Sequence, residues 1–292
     1  MNASNPSKFD SISPSALSLL ETRAFTSIPF AKESFQIISQ SHSSESTSQS
    51  QLPVGVLFRI IHFESRYRSI DQGLRDLGIT NILEFSSGFS FRGLDFCKNP
   101  TIQFIDSDLP AIIETKKKIL LELTKNYCDY QPHNLLLKPM NALDEKDFFD
   151  TISLFSSGPI SIVKEGLLMY LNIEQKEHLC NIIHKILSQV GGYWITSDIY
   201  RQGEIEGRNI DNFYKQKGQE FLKKHNVENN KFSSFAVAED FFSRCGFEIF
   251  KKIEVEKTAL SSVKLLSEYY PSSVTNSISR SKSRETWILK PI

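Results

Sequence analysis

Short apolar runs alternate with longer amphipathic stretches along most of the chain. Five runs have the length of buried strands, and the segments between them carry apolar residues at helical spacing. The predicted strands lie in NILEF, IQFID, NLLLKPM, PISIVKEG and GGYWITSDIY. Beyond them, the sequence predicts a helix, a turn, a strand and a terminal strand in RETWILKPI. Strands that alternate with helices predict an α/β fold with a doubly wound, mostly parallel sheet.

The same pattern divides the chain into two regions. Residues 1–53 contain a helical stretch, SPSALSLLETRAF, and a polar serine-rich stretch, QSHSSESTSQS. We therefore expect a helical N-terminal arm with a mobile loop over residues 1–53, and a main domain over residues 54–292. Within the main domain, residues 201–235 are rich in charge and lack a clear strand, which predicts a helical insertion over one end of the sheet.

The composition excludes several classes of protein. Hydrophobic residues make up 40% of the 292 positions, which is enough for a full core, and the net charge of +0 lacks the basic excess typical of nucleic-acid binding. The apolar runs are too short to cross a bilayer, and the N-terminus lacks the pattern of a secretory signal. Four scattered cysteines predict free thiols and no metal site. We expect a cytoplasmic protein that binds neither nucleic acid nor membrane.

The first predicted strand runs directly into a turn of small residues, in NILEFSSGFSFRG. A strand, a small-residue turn and a helix are how doubly wound folds approach a nucleotide closely. The dinucleotide version needs three glycines, but only Gly88 occupies a central glycine position, and Phe89 and Phe91 are bulky. A pyrophosphate is therefore disfavoured, and a dinucleotide-dependent oxidoreductase ranks last among the hypotheses. A cofactor without phosphates needs only one close backbone approach, and a purely structural turn fits equally well.

Polar side chains follow three other predicted strands. Asp106 comes about 20 residues after Glu84, the separation at which an acid contacts a ribose hydroxyl in such folds. Asp108 follows two residues later, and in the alternative interpretation it caps the next helix while Asp106 is solvated. Asn141 follows the third strand and Glu165 the fourth. Taken alone, these two fit a turn asparagine and an acid at the start of a helix.

Six fragments, in order, resemble the leucine carboxyl methyltransferase family, including its bacterial branch of small-molecule O-methyltransferases. The fragments are SPSALSLLETRAF, ESRYRSI, LEFSSGFSFRG, FIDSDLP, NALD and KEGLLMYL, and they cover roughly residues 13–200. The resemblance implies a class I methyltransferase (Rossmann-like) fold with a helical cap, and S-adenosylmethionine as the cofactor.

The resemblance also implies roles for individual residues in binding the cofactor. Arg66 matches the arginine that pairs with the methionine carboxylate, and Glu165 matches an acid near the methionyl amino group. Gly88 matches the glycine beneath the cofactor, and Asp108 matches the acid that holds the ribose. Burying an ammonium and a carboxylate is costly unless each has a partner, and Glu165 and Arg66 would supply one apiece.

Other positions match the family less regularly. Asn141 and Ala142 fall where the family contacts the adenine, although many members have Asp-Leu there. The bacterial pattern Gly-Leu-Asp-Thr-Arg reads GFSFR here, so Arg92 remains and the acid is missing. We interpret Arg92 as a structural residue that pairs with a carboxylate beneath the loop. Arg23 lies close to a basic position in the N-terminal helix of the family.

The leading hypothesis is an S-adenosylmethionine-dependent O-methyltransferase that acts on a carboxylate or hydroxyl of a small molecule or a protein terminus. The alternative is a catalytically silent binding protein of the same fold, which Ser86, Ser90 and the missing loop acid favour. No catalytic residue stands out, because a carboxylate acceptor needs no base. A hydroxyl acceptor would need one, and the candidates are His133, Tyr170 and Tyr200. The sequence does not indicate an oligomeric state.

Overall fold

In a computed structural model of the protein, which describes residues 13–40, 52–203, 220, 222–275 and 283–292, a seven-stranded sheet forms the centre of the molecule. The strand order is β3-β2-β1-β4-β5-β7-β6. Strands β1 to β5 run parallel to one another, and β7 is antiparallel to both β5 and β6. The predicted mostly parallel sheet is confirmed. The strands are β1 (Asn81–Phe85), β2 (Gln103–Asp108), β3 (Leu135–Pro139), β4 (Ile160–Lys164), β5 (Gly192–Tyr200), β6 (Phe247–Ile253) and β7 (Arg284–Pro291).

Helices connect these strands and begin and end at recognisable signals. The longest, α3, ends at Gly78, whose φ of 63° is left-handed and whose N–H donates to the carbonyl of Leu74. The helix α7 begins with a capping box between Asn172 and Gln175. The helices are α1 (Ser13–Arg23), α2 (Ala31–Gln40), α3 (Val54–Leu77), α4 (Arg92–Phe96), α5 (Pro110–Asn126), α6 (Glu145–Ile152), α7 (Ile173–Val190), α8 (Phe235–Arg244) and α9 (Ser261–Tyr269); single helical turns lie at Leu168–Tyr170, Val227–Asn230, Lys257–Ala259 and Ser272–Thr275.

Apolar clusters cover both faces of the sheet. All five residues of β1 and all five of β4 are buried, as expected for strands that contact helices on each side. Side chains alternate between faces along a strand, so the adjacent Ile82 and Leu83 belong to different clusters. The cluster with Leu83 also contains residues of α7 and α8, and the cluster with Ile82 contains residues of α3. The central strands are therefore held rigidly, and so are the residues at their ends.

The two N-terminal helices pack against the rest of the molecule. Leu20, Ile28 and Ala31 bury their side chains against Tyr67 of α3. Residues of α2 pack against Ile119 and other residues of α5. Because α1 lies against α3, its last residues reach the edge of the sheet. The division at residue 53 stays a prediction.

Two predicted segments lie wholly or partly outside the described residues. The serine-rich loop falls mainly within residues 41–51, and the predicted insertion at 201–235 includes residues 204–219 and 221. The described end of the insertion contains the helical turn Val227–Asn230.

Among the described helices, none is both long enough and apolar enough to cross a membrane. The four cysteines are free thiols. Within the described ranges, no group of three or more His, Cys, Asp or Glu residues is placed to hold a metal ion.

Candidate functional site

Predicted site residues meet at the carboxyl edge of the sheet, where the strand order reverses between β1 and β4. Open α/β sheets bind ligands in the crevice at this point. Gly88 lies in the turn after β1, Asp108 ends β2 and Glu165 follows β4. Arg23 and Arg66 reach the same edge from α1 and α3, since both contact Glu165. The fold therefore brings together residues that are far apart in the sequence.

Three guanidinium groups surround the carboxylate of Glu165. Its Oε1 accepts from Nε of Arg66 at 2.9 Å and from Arg23, and its Oε2 accepts from Nη2 of Arg92 at 3.0 Å. All four side chains are buried. Burial alone would raise the pKa of Glu165, but the three arginines outweigh it and hold the pKa well below its usual range. Glu165 is therefore a permanent anion, enclosed by cations.

Arg92 lies fully buried beneath the turn after β1. Its Nε donates to Oδ1 of Asp71 at 2.8 Å, and its guanidinium also pairs with Glu84. The guanidinium lies over the ring of Tyr67, 4.0 Å from the ring centroid. Buried ions are tolerated when they are paired and hydrogen-bonded in this way. The interpretation of Arg92 as a structural residue that pairs with carboxylates is confirmed.

Arg66 links Glu165 to a tyrosine at the end of β5. Its Nη1 donates to the hydroxyl oxygen of Tyr200 at 3.0 Å, and that oxygen lies 2.9 Å from Nε2 of His62. Because Arg66 already donates to the oxygen of Tyr200, the hydroxyl proton can point towards His62. The sequence analysis did not single out His62, which precedes the fragment ESRYRSI by two residues and is not part of it.

The other two candidate bases have different surroundings. His133 precedes β3, at the amino end of that strand, and lines a groove of about 410 Å³ between α5 and β3. This position is at the opposite end of β3 from the carboxyl edge. Tyr170 lies in the helical turn after Glu165, and burial raises the pKa of its hydroxyl. Tyr200 is the candidate that contacts Arg66 directly.

The turn after β1 touches the acid that ends β2. Gly88 has a φ of 55°, and its N–H donates to Oδ2 of Asp108 at 2.7 Å. The other oxygen of Asp108 accepts the N–H of Leu109 at 2.7 Å. Ser86 also has a left-handed φ, of 47°, which is strained for a residue with a Cβ. The backbone at residue 86 thus has a conformation that glycine favours, although the residue is a serine.

Asp106 has a structural environment. It forms an ion pair with Lys116 at 2.6 Å and accepts from the hydroxyl of Ser87 at 2.5 Å. The residue is buried, so the alternative in which Asp106 is merely solvated is wrong. Burial raises the pKa of Asp106. Asp106 thus meets the turn through the side chain of Ser87, whereas Asp108 meets it through the main-chain N–H of Gly88.

Asn141 and Ala142 lie just beyond β3. The N–H of Met140 donates to the carbonyl of Asp108 at 2.9 Å, which places this segment beside the acid. The side-chain oxygen of Asn141 accepts the N–H of Leu143 at 3.1 Å, and Ala142 is buried in an apolar cluster. Their roles towards an adenine ring stay predictions.

Lys164, the last residue of β4, is a site residue that the sequence analysis missed. Its side chain is fully buried, and Nζ donates to the carbonyls of Glu165 at 2.7 Å and Ser86 at 3.2 Å. It therefore joins the segment after β4 to the turn after β1. Burial lowers the pKa of Lys164, although several nearby carboxylates oppose this. A lysine that ends an apolar strand was the available signal in IVKEG.

Asp198 holds the segment that follows Glu165. Its carboxylate accepts the N–H groups of Gly166 at 2.5 Å, Leu167 at 2.7 Å and Leu168 at 3.1 Å. An acid in a buried strand was not distinctive enough in the sequence to be singled out. Its contacts fix the backbone that carries Glu165.

Comparisons with known proteins give structural matches only. No family model matches the chain, and no curated protein sequence matches it. A proposed methyltransferase from Thermobifida fusca YX has a TM-score of 0.54 at 14% identity, with 94% of each chain covered. A DUF574 family protein from Streptomyces avermitilis MA-4680 has a TM-score of 0.50 at 13% identity, with 93% of this chain and 97% of that chain covered.

The fold is that of the class I, Rossmann-like methyltransferases. The expected fold class is thereby confirmed. A more distant match, a variant of LepI in complex with SAH and a substrate analogue, has a TM-score of 0.44 at 8% identity and is longer, since 73% of this chain covers 43% of it. At such identities, structural likeness establishes the architecture of the class I methyltransferase fold, while activity depends on the site itself.

Proposed function

We propose that the protein is an S-adenosylmethionine-dependent O-methyltransferase that acts on a carboxylate or hydroxyl of a small molecule or a protein terminus. One observation carries the proposal: Arg66, Gly88, Asp108 and Glu165 lie along one edge of a class I methyltransferase sheet, around the reversal of strand order. Ligands of open α/β sheets bind at this place.

The residue types at this edge fit the cofactor. A carboxylate would pair with Arg66 and Arg23, and Nε of Arg23 is buried without a hydrogen-bond partner among the described residues. An anion bound there would satisfy that donor. Asp108 carries a carboxylate at the edge, next to the turn, as a ribose requires. Charge-assisted hydrogen bonds of this kind contribute about 1.5–3 kcal/mol each.

When bound, the cofactor supplies a methyl group that its sulfonium has already activated. The task of the protein is then to align donor and acceptor, and orientation accounts for about 7–11 kcal/mol of such barriers. A carboxylate acceptor has no proton to lose. A hydroxyl acceptor has one, and the Tyr200–His62 pair next to Arg66 could receive it.

A second candidate is a binding protein of the same fold that does not transfer a methyl group. Two observations favour it. The carboxylate of Glu165 is already enclosed by three arginines. Ser90 stands where the bacterial loop pattern has an acid, and its hydroxyl donates to Oε2 of Glu84 at 3.4 Å beneath the turn. Both candidates bind the cofactor, so a binding experiment and a transfer experiment separate them.

Calorimetric titration with S-adenosylmethionine tests the binding step. We expect saturable binding to the wild type, weakened about tenfold or more in Asp108→Asn, because the charged acceptor is lost. Asp150→Asn is the matched control, since Asp150 is exposed on α6 and pairs with Lys146. Absence of binding at millimolar cofactor would overturn the proposal.

Incubation of metabolite and protein extracts with the enzyme and an isotopically labelled methyl donor tests the transfer step. Label that enters an acceptor with the wild type, and fails to do so with Asp108→Asn, supports the enzyme. Cofactor binding without transfer to any fraction supports the binding protein.

A further inference from the structure

At the edge of the sheet between β1 and β4, where open α/β sheets bind ligands, lies a lysine of the chain itself. Lys164 is completely buried, and its ammonium group donates to the carbonyls of Glu165 at 2.7 Å, Ser86 at 3.2 Å and Phe85 at 3.5 Å. These carbonyls belong to the ends of two adjacent strands. They are main-chain acceptors at the place where open α/β sheets bind ligands.

An incoming ammonium group needs acceptors of this kind, because a buried cation without hydrogen-bond partners is costly. The carboxylate of Glu165 is engaged by Arg23, Arg66 and Arg92. The carbonyls of Glu165 and Ser86 are engaged by Lys164. The acceptors at Glu165, where the resemblance implies the methionyl amino group, are therefore already bound to cations of the protein.

We propose that Lys164 determines cofactor affinity by holding the main-chain carbonyls that the methionyl ammonium of the cofactor needs. This inference rests on the proposed function. Two ammonium groups cannot share these carbonyls without close repulsion of like charges. Cofactor binding therefore requires Nζ of Lys164 to give up at least one of its three contacts. For the carboxylate of the cofactor, Nε of Arg23 is a buried donor without a hydrogen-bond partner among the described residues.

The proposal distinguishes ligands by whether they carry an ammonium group. S-adenosylhomocysteine has the amino-acid end, with both ammonium and carboxylate. The nucleoside 5′-methylthioadenosine shares the adenosine and the sulfur but has no amino-acid end. Removal of Lys164 should help the first ligand and leave the second unchanged.

Titration calorimetry of wild type and Lys164→Met with both ligands is the test. Methionine keeps the unbranched shape of lysine without its charge. We expect Lys164→Met to bind S-adenosylhomocysteine about tenfold more tightly, equivalent to about 1.4 kcal/mol. The affinity for 5′-methylthioadenosine should change by less than about twofold.

Lys176→Met is the matched control, because Lys176 is also a buried lysine whose Nζ donates to a main-chain carbonyl, that of Asn230 at 2.5 Å. It lies on α7 and pairs with a residue in the described end of the predicted insertion. Both ligands should bind this variant within about twofold of the wild type.

Three outcomes would count against the role of Lys164. Equal gains for both ligands would indicate a general opening of the site, and unchanged or weaker binding of S-adenosylhomocysteine would show that Lys164 is no competitor. If neither ligand binds either protein, the proposed function fails, and the inference fails with it. If S-adenosylhomocysteine binds only Lys164→Met, both are supported.

A measurement on the wild type alone covers the case in which Lys164→Met does not fold. A deaminated analogue of S-adenosylhomocysteine, with hydrogen in place of the amino group, should bind at least as tightly as S-adenosylhomocysteine. A preference of about tenfold or more for the amino form would overturn the inference, because the ammonium would then have found good acceptors with Lys164 in place.

Discussion

Two buried regions of the molecule are stabilised by different interactions, ion pairs in one and apolar contacts in the other. The charge cluster at the carboxyl edge contains Arg23, Arg66, Arg92, Asp71, Glu84 and Glu165. The aromatic cluster beside α8 contains Trp194, Phe242, Phe247 and Trp287, with ring centroids 5.5–6.0 Å apart. All ten side chains are buried.

The two clusters should tolerate change differently. Each ring in the aromatic cluster contributes by burying apolar area, so a smaller side chain loses only part of that area. Each ion in the charge cluster balances another ion, so a single removal leaves an uncompensated buried charge. The contribution of the charge cluster to the free energy of unfolding should therefore depend on pH and on the presence of all its members. The contribution of the aromatic cluster should depend on neither.

Arg92→Met should have the largest effect on stability. It leaves Glu84 buried without its guanidinium partner and Asp71 with only the more distant Arg68, 3.6 Å away. We expect a loss of about 3–5 kcal/mol in the free energy of unfolding, measured by urea denaturation. Arg244→Met is the control, because that arginine is exposed in an ion pair with Asp240 and should cost less than about 1 kcal/mol. Similar losses for the two variants would contradict the difference between buried and exposed pairs.

Glu165→Gln should show the pH dependence of the charge cluster. The folded-state pKa of Glu165 lies below its unfolded value of about 4.3, so its stabilising contribution is present above that pH and is lost as the pH falls towards the folded pKa. We expect a loss of about 3 kcal/mol near neutral pH. The difference in the free energy of unfolding between wild type and variant should be smaller by roughly 1–2 kcal/mol at about pH 3 than near neutral pH. Urea denaturation at both pH values is the measurement, and a constant gap would contradict the assignment.

Phe242→Leu should have the smallest of the three effects. The substitution keeps an apolar but smaller side chain in the aromatic cluster, so we expect a loss of about 1–2 kcal/mol. Because no ionisable group is removed, the loss should be the same near neutral pH and in acid. A loss that changed with pH would link this cluster to the charge cluster and weaken the contrast between them.

Much of the fold was predictable from local pattern. The run NILEF is β1 residue for residue, and the terminal strand and the glycine that ends α3 were also predicted. Periodicity and turn residues act over a few neighbouring positions, so they can be read without knowing the tertiary structure. The start of α3 at Val54 coincides with the change of pattern at residue 54.

The positions of the site residues were predictable, but the ion pairs between their side chains were not. The sequence indicated that Gly88, Asp108 and Glu165 lie at the ends of the first, second and fourth strands, and that Arg92 pairs with a carboxylate. It did not indicate that Arg23 and Arg66 share one oxygen of Glu165. Nor did it indicate that Lys116 neutralises Asp106.

By itself, the sequence determined the alternation of strands and helices and the polar residues at the strand ends. Only the tertiary structure decided which charged groups pair with each other. It also decided that the ammonium of Lys164 donates to the carbonyls of Ser86 and Glu165. The physical reason is the separation along the sequence of the residues that interact. Strand and helix patterns come from contacts between near neighbours, whereas Arg23 meets Glu165 across 142 positions, and only the packed topology brings such partners within hydrogen-bonding distance.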